Sequence, residues 1–206
     1  MKTIIVFDTE TTGLPDRAGF DKNYPSWDIR RYNNSRVIQL GYSVYTMSGF
    51  LLSENMYYIT PDKWIISKES EKIHGISQDD CVRKGKPIRD VLRLFEKELS
   101  DCALLVGHNV AFDQHVLSSE AWRCCFESLA IKLDFMTYIC TMRNSKELCN
   151  IKQKNAYGKE NIKFPKLSEL HKFLFGSEPV IQHDALEDVK ATARCYFELK
   201  RLGEVI

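Results

Sequence analysis

Asp8 and Glu10 stand two residues apart at the end of a short apolar run, TIIVFD (residues 3–8), just before the turn-forming Thr11-Thr12-Gly13. If that run is a strand, residues i and i+2 face the same side, so the two carboxylates are presented together. Such acids repel one another unless protons or cations intervene. Hard divalent ions such as Mg²⁺ or Mn²⁺ are the natural partners of carboxylate oxygens. A D-x-E pair alone is common on solvated surfaces. A further acid, Asp113, closes Gly107-His108-Asn109-Val110-Ala111-Phe112-Asp113, where an apolar run ends in a small residue and a helix begins. Its place near a helix N-terminus is favourable in itself. A last segment, His183-Asp184-Ala185-Leu186-Glu187-Asp188, opens the final helical stretch. Asp184 and Glu187 have the spacing of a capping box, which leaves His183 and Asp188 without a structural explanation.

Something must carry these groups to one place. Residues 3–8 read as a buried strand, and 36–47 and 50–60 as two more, with Ser48-Gly49 turning between them. Between the first two runs a long turn-rich connection holds Phe20, Tyr24, Trp27 and Tyr32 beside Arg30, Arg31 and Arg36. Residues 86–100 place Ile88, Val91, Leu92, Phe95 and Leu99 at helical spacing. A strand is predicted over 102–109, a helix from about Val110 to Ser128, and a fifth strand over 129–135. The polar stretch 143–166 reads as irregular. A helix stopped by Gly176 and a final amphipathic helix closed by Gly203 complete the chain. Three meandering strands followed by alternating helices and strands give an α/β order. The 206 residues contain no internal repeat, linker or second domain in this reading, which makes 1–206 one domain.

Composition narrows the setting more than the chemistry. Hydrophobic residues at 44%, charged residues at 28% and a formal net charge of +1 are ordinary for a globular protein. They neither require nor exclude a nucleic-acid partner, since only one face need meet phosphates. Seven cysteines without metal-ligand spacing point to reduced thiols. The apolar run at the start is too short for a secretion signal or a membrane span. The expectation is an intracellular protein, cytoplasmic or nuclear, and Asn33-Asn34-Ser35 is read as a chance glycosylation sequon.

The three chemical segments, FDTETTGL, GHNVAFD and HDALEDV, together resemble the DEDDh, or DnaQ-like, exonucleases, the family that includes the proofreading epsilon subunits of bacterial DNA polymerase III. The resemblance runs from about residue 3 to residue 200. It implies a ribonuclease H-like fold: a mixed five-stranded sheet, a meander of three strands plus two, flanked by helices. It implies 3′→5′ exonuclease activity by two-metal-ion hydrolysis, releasing nucleoside 5′-monophosphates. Asp8, Glu10, Asp113 and Asp188 would hold two divalent cations, Mg²⁺ or Mn²⁺, and His183 would be the general base, a task suited to an imidazole. Thr9, Thr11 and Leu14 match positions that meet the terminal nucleotide, although Leu14 suits a core as well. His74, in Lys72-Ile73-His74-Gly75-Ile76, and Asn109 are further substrate-binding candidates; a turn role is an equally good reading for His74 and the favoured one for Asn109. His108, His115 and His171 are assigned to structure.

The implied partner is the 3′ end of a single strand, DNA favoured over RNA because FDTETTGL and KIHGIS look closer to the epsilon-like enzymes. A DNA polymerase or a second copy of the chain are the protein partners the resemblance allows, with DNA repair or proofreading as the setting, and no membrane is involved. Basic residues between 143 and 172 suggest phosphate tracking or a merely solvated loop. Aromatics of 20–36 suggest base stacking or a pinned loop. The competing readings are an RNA exonuclease of the same family and a catalytically silent nucleic-acid-binding or polymerase-associated module. The latter would be marked by a missing ligand or base, and none is missing.

Overall fold

Ile4, Ile5, Val6 and Phe7 are apolar in succession, as suits a strand covered on both faces, and each is no more than 1% exposed. The computed structural model describes residues 1–19, 22–154, 158–179 and 184–205. In chain order its strands are β1 (Thr3–Thr11), β2 (Arg17–Gly19), β3 (Lys22–Asn23), β4 (Val37–Thr46), β5 (Leu51–Tyr58), β6 (Cys102–Gly107), β7 (Tyr138–Cys140), β8 (Lys152–Lys154) and β9 (Glu160–Ile162). Its α-helices are α1 (Lys68–His74), α2 (Gln78–Lys84), α3 (Ile88–Glu98), α4 (Val110–Arg123), α5 (Glu127–Phe135), α6 (Thr141–Asn144), α7 (Lys146–Cys149), α8 (Leu167–Phe175) and α9 (Ala185–Arg201).

The main sheet has the order β5-β4-β1-β6-β7. Strand β1 runs antiparallel to β4 and parallel to β6, and β6 runs parallel to β7. This is the mixed five-stranded sheet, three meandering strands plus two, that the sequence predicts. Alternation along β1 divides the core. Ile5 and Phe7 pack with Val91, Leu92, Phe95, Val116 and Leu117 of α3 and α4. Ile4 and Val6 pack with Val189, Cys195, Tyr196 and Leu199 of α9 and with Leu170 of α8. Burying each such side chain contributes about 1.5–3 kcal/mol. The same alternation turns Asp8 and Glu10 toward the α9 face and Thr9 toward α4.

Two segments depart from the sequence expectation. The helix predicted over 110–128 stops at Arg123, where Cys125 takes a left-handed φ of 57°, and the strand predicted over 129–135 is helical, inside α5. Leu129, Ala130 and Leu133 are its buried residues, a helical spacing that a short apolar run conceals, because periodicity cannot separate a buried strand from a short helix. The fifth strand lies just beyond, at Tyr138–Cys140, where only three residues pair with β6. The stretch 143–166, read as irregular, holds α7 and an exposed hairpin of β8 on β9. Among the described residues no helix is long and apolar enough to cross a membrane.

Candidate active site

β1 delivers the first two acids because it keeps its pleat to Thr11, and the register shifts only after Glu10, which pairs with Gln39 while Thr11 pairs with Val37. α4 delivers Asp113. Gly107 ends β6 where a Cβ would sit 2.8 Å from Val110, so a glycine lets the helix turn in tightly. Asn109 follows in the left-handed region at φ 70°, and the first turn of α4 carries Asp113 to Thr9. Both the N–H and the hydroxyl of Thr9 donate to Asp113 Oδ1, at 3.0 and 2.7 Å.

α9 delivers Asp188 from the other face. Its start is fastened by Asp184, whose Oδ1 accepts the Leu186 N–H at 3.0 Å. Glu187 pairs with Lys190 at 2.9 Å. Gln39 on β4 adds a second clamp: its Nε2 donates to Asp184 Oδ2 at 3.2 Å and its Oε1 accepts the Ala185 N–H at 2.8 Å. Gly41, opposite Asp8 in the ladder, lets α9 approach; a Cβ there would lie 2.7–2.8 Å from the backbone of Ala185 and Leu186.

The result is a knot of negative charge. One carboxylate oxygen from each of Asp8, Glu10 and Asp188 lies within 4.8 Å of the others, with buried Asp113 joined to β1 through Thr9. Burial raises the Asp8 carboxyl well above its usual range, and Asp113, Glu10 and Asp188 push it the same way. Burial, then Asp188, Asp113 and Asp184, raise Glu10 to about 8. Burial also raises Asp113, against the lowering effect of the two Thr9 bonds. Half-buried carboxylates that raise one another in this way suit a hard, oxygen-loving divalent cation.

His183 lies outside the described residues. Thr11 is buried, its hydroxyl donating to Gly13 O at 2.7 Å. Leu14 is 65% exposed and lines an open cleft of 660 Å³ with Lys63, Trp64 and Ile65, which sets aside the core reading for it. His74 is buried at the end of α1, its Nδ1 accepting the Ile76 N–H at 3.0 Å. Asn109 is exposed at the start of α4. His108 bridges Thr141 and Pro165, and burial lowers it to about 4. His171 contacts Ser177 O and Arg194.

Several residues that the sequence reading missed hold the site in shape. Gln39 is a polar residue in a buried strand, and Gly41 a glycine inside one, which is the sequence mark of close backbone approach. Arg36 is engaged by buried Glu120 at 2.6 and 3.1 Å, and the Arg36 N–H donates to the Thr12 hydroxyl at 2.9 Å. It fastens the turn after Glu10. Tyr32 is fully buried with its hydroxyl donating to Tyr24 O; Phe20 lies outside the described residues.

Sheet order and an acidic cluster at a strand end shared by two helices define a ribonuclease H-like fold with a candidate cation site. The family model RNase_T, described as exonuclease, matches residues 5–196, and the chain belongs to this exonuclease family. No curated protein matches it in sequence. Among solved structures, Escherichia coli exonuclease I in complex with a dT13 oligonucleotide is similar with a TM-score of 0.73 at 18% identity, over 99% of this chain and 43% of that one. Its complex with a dA16 oligonucleotide gives 0.67 at 16% identity, over 98% and 41%. The zinc-bound E. coli complex with single-stranded DNA gives 0.72 at 18% identity, over 98% and 41%. This chain thus spans less than half the length of these structures, and at such identities the likeness is one of fold.

Proposed function

We propose that this chain is a single-domain 3′→5′ exonuclease that hydrolyses the terminal phosphodiester of a single strand, DNA in preference to RNA, and releases nucleoside 5′-monophosphates. The observation that carries the reading is the convergence of Asp8, Glu10 and Asp188 within 4.8 Å in a chain matched over 5–196 by the exonuclease family. Asp8, Glu10, Asp113 and Asp188 would hold two divalent cations, Mg²⁺ or Mn²⁺. Bound there, such ions supply Lewis-acid charge at the phosphate and lower the pKa of the attacking water.

The chain's own groups do the rest. His183 takes the proton from the water as general base. Thr9 holds Asp113 in orientation, and the Gln39 clamp fixes the α9 turn that presents Asp188. Thr11, Leu14, His74 and Asn109 are the candidate contacts to the terminal nucleotide, with Leu14 best placed by its exposure. The DNA preference is supported by FDTETTGL and KIHGIS and by the single-stranded DNA in the similar structures named above. Seven unpaired thiols suit a reducing, intracellular compartment.

The test is a time course on matched single-stranded DNA and RNA labelled at the 5′ end, with Mg²⁺, Mn²⁺ or EDTA. Asp8→Ala and Asp188→Ala should abolish the 3′-shortening ladder. His183→Ala should slow it roughly 10²–10⁴-fold while Mn²⁺ binding, followed by calorimetry, is kept. Near-wild-type cleavage by any of the three sinks the assignment, and the faster substrate decides DNA against RNA.

A further inference from the structure

Leu14 is exposed, yet the turn that carries it is bonded at Thr12 on every side. The Thr12 N–H donates to Arg36 O at 2.9 Å. Its hydroxyl donates to Asn34 O at 3.0 Å and accepts the Arg36 N–H at 2.9 Å. Its carbonyl accepts the Ser70 hydroxyl at 2.6 Å, so each of its polar atoms is engaged. Gly13 follows where a Cβ would sit 2.9 Å from Asn34 O, which leaves the turn no room to lift.

Two helices supply the grip. Buried Ser70 lies in the first turn of α1, where its N–H donates to the Ser67 hydroxyl at 3.0 Å and its own hydroxyl accepts from Ser67 at 3.1 Å. On the other side, Arg36 is held by Glu120 of α4, a carboxylate only 1% exposed. Glu120 accepts Arg36 Nε at 2.6 Å, Nη2 at 3.1 Å and the Val37 N–H at 3.2 Å. A buried ion pair adds little to stability by itself. Its two-pronged contact does fix geometry, and here it fixes the backbone that bonds Thr12 twice. Glu120 lies about two turns beyond Asp113 on α4, or roughly 10 Å along one helix. That helix spaces the acidic cluster from the Leu14 turn.

We infer that Ser70, Arg36 and Glu120 are positioning residues for the terminal nucleotide. They act through Thr12 and hold Leu14 at a set distance from the cation site, from α1 on one side and α4 on the other. A leucine on a loose turn must be ordered at each binding event, whereas a turn bonded in advance has met that cost. The inference rests on the proposed exonuclease reading, with Leu14 as a substrate contact.

The test uses thymidine 5′-monophosphate binding, followed by calorimetry in Ca²⁺. Hydrolysis of p-nitrophenyl thymidine 5′-monophosphate, which offers only the terminal nucleotide, is followed in Mn²⁺. Both are run at a temperature where melting curves show every variant folded. Ser70→Ala removes one hydrogen bond, and Arg36→Lys keeps the charge but not the fork. Each should weaken nucleotide binding and raise KM about three- to tenfold with kcat little changed, the mark of lost uniform binding. Glu120→Gln should follow Arg36→Lys. In a Leu14→Ala background the same substitutions should cause no further loss, because their effect passes through that side chain. Equal losses with and without Leu14 overturn the inference, and so do variants that melt earlier while affinity and KM stay at wild type. A fall in kcat at unchanged KM also overturns it, since the damage then lies at the acidic cluster. A wild-type protein inert toward the ester, whose nucleotide binding still shows the Leu14-dependent losses, overturns the catalytic reading and leaves the positioning role standing.

Discussion

Glu10 is raised to about 8 because it is buried beside Asp188, Asp113 and Asp184, and this has a consequence for stability. In the unfolded chain Glu10 titrates near 4.5. Between the two values the folded protein keeps a proton that the unfolded chain has released. Folding stability therefore falls as pH rises across that window and levels off above about 8. A divalent cation replaces the proton, so it should stabilise the protein more at the alkaline end than at the acid end. Melting curves in EDTA and in Mn²⁺ across the window check this, with Glu10→Gln losing part of the EDTA slope. An EDTA melting temperature that climbs with pH, with the same slope in the variant, would contradict the account. At this scale the sequence was informative: D-x-E and the strand period place Asp8 and Glu10 together. Thr9 was read for a different role, because its bond to Asp113 spans 104 residues and leaves no local mark.

At the scale of elements, the site depends on how closely α9 lies against β4. Gly41→Ala would put a methyl within 2.7–2.8 Å of the Ala185 and Leu186 backbone, and backbone cannot rotate away. Overpacking of this kind costs about 1–3 kcal/mol, or a drop of about 2–4 °C in melting temperature per kcal/mol. Because α9 must shift to relieve the contact, Asp188 shifts with it. The cleavage rate at a temperature where the variant is fully folded should therefore drop well beyond what the lost stability explains. A rate equal to wild type would show that the packing serves stability alone. Sequence periodicity captured the long helices and the central strand, where packing follows pattern. It failed at 129–135, whose apolar spacing fits either a strand or α5, and at β7, too short to show a period.

For the whole molecule, a formal net charge of +1 means that the overall field does little to draw in a polyanion, so salt-dependent binding must come from local contacts. The exposed β8–β9 hairpin offers Lys152 and Lys154, with Lys159 beside it. Lys163 and Lys172 are engaged by Glu169 and Glu178 at 2.5 and 3.1 Å. Replacing Lys152, Lys154 and Lys159 by Ala should reduce the salt slope of oligonucleotide binding by about 2 if each meets a phosphate of a single strand. An unchanged slope returns the hairpin to the role of solvated surface. The sequence could count these lysines but could not show that Glu169 and Glu178 engage two of them, since pairing is decided by the fold.

The division of β1 between two helical layers also bears on the order in which the protein is made. Asp8 leaves the ribosome well before the helix that brings Asp188 against it. Until that helix returns to Gly41 and Gln39, a growing chain holds three of the four acids with nothing to complete the ring. In the proposed reading, a nuclease assembled this way stays inactive while it is being synthesised, and a product truncated before α9 stays inactive afterwards.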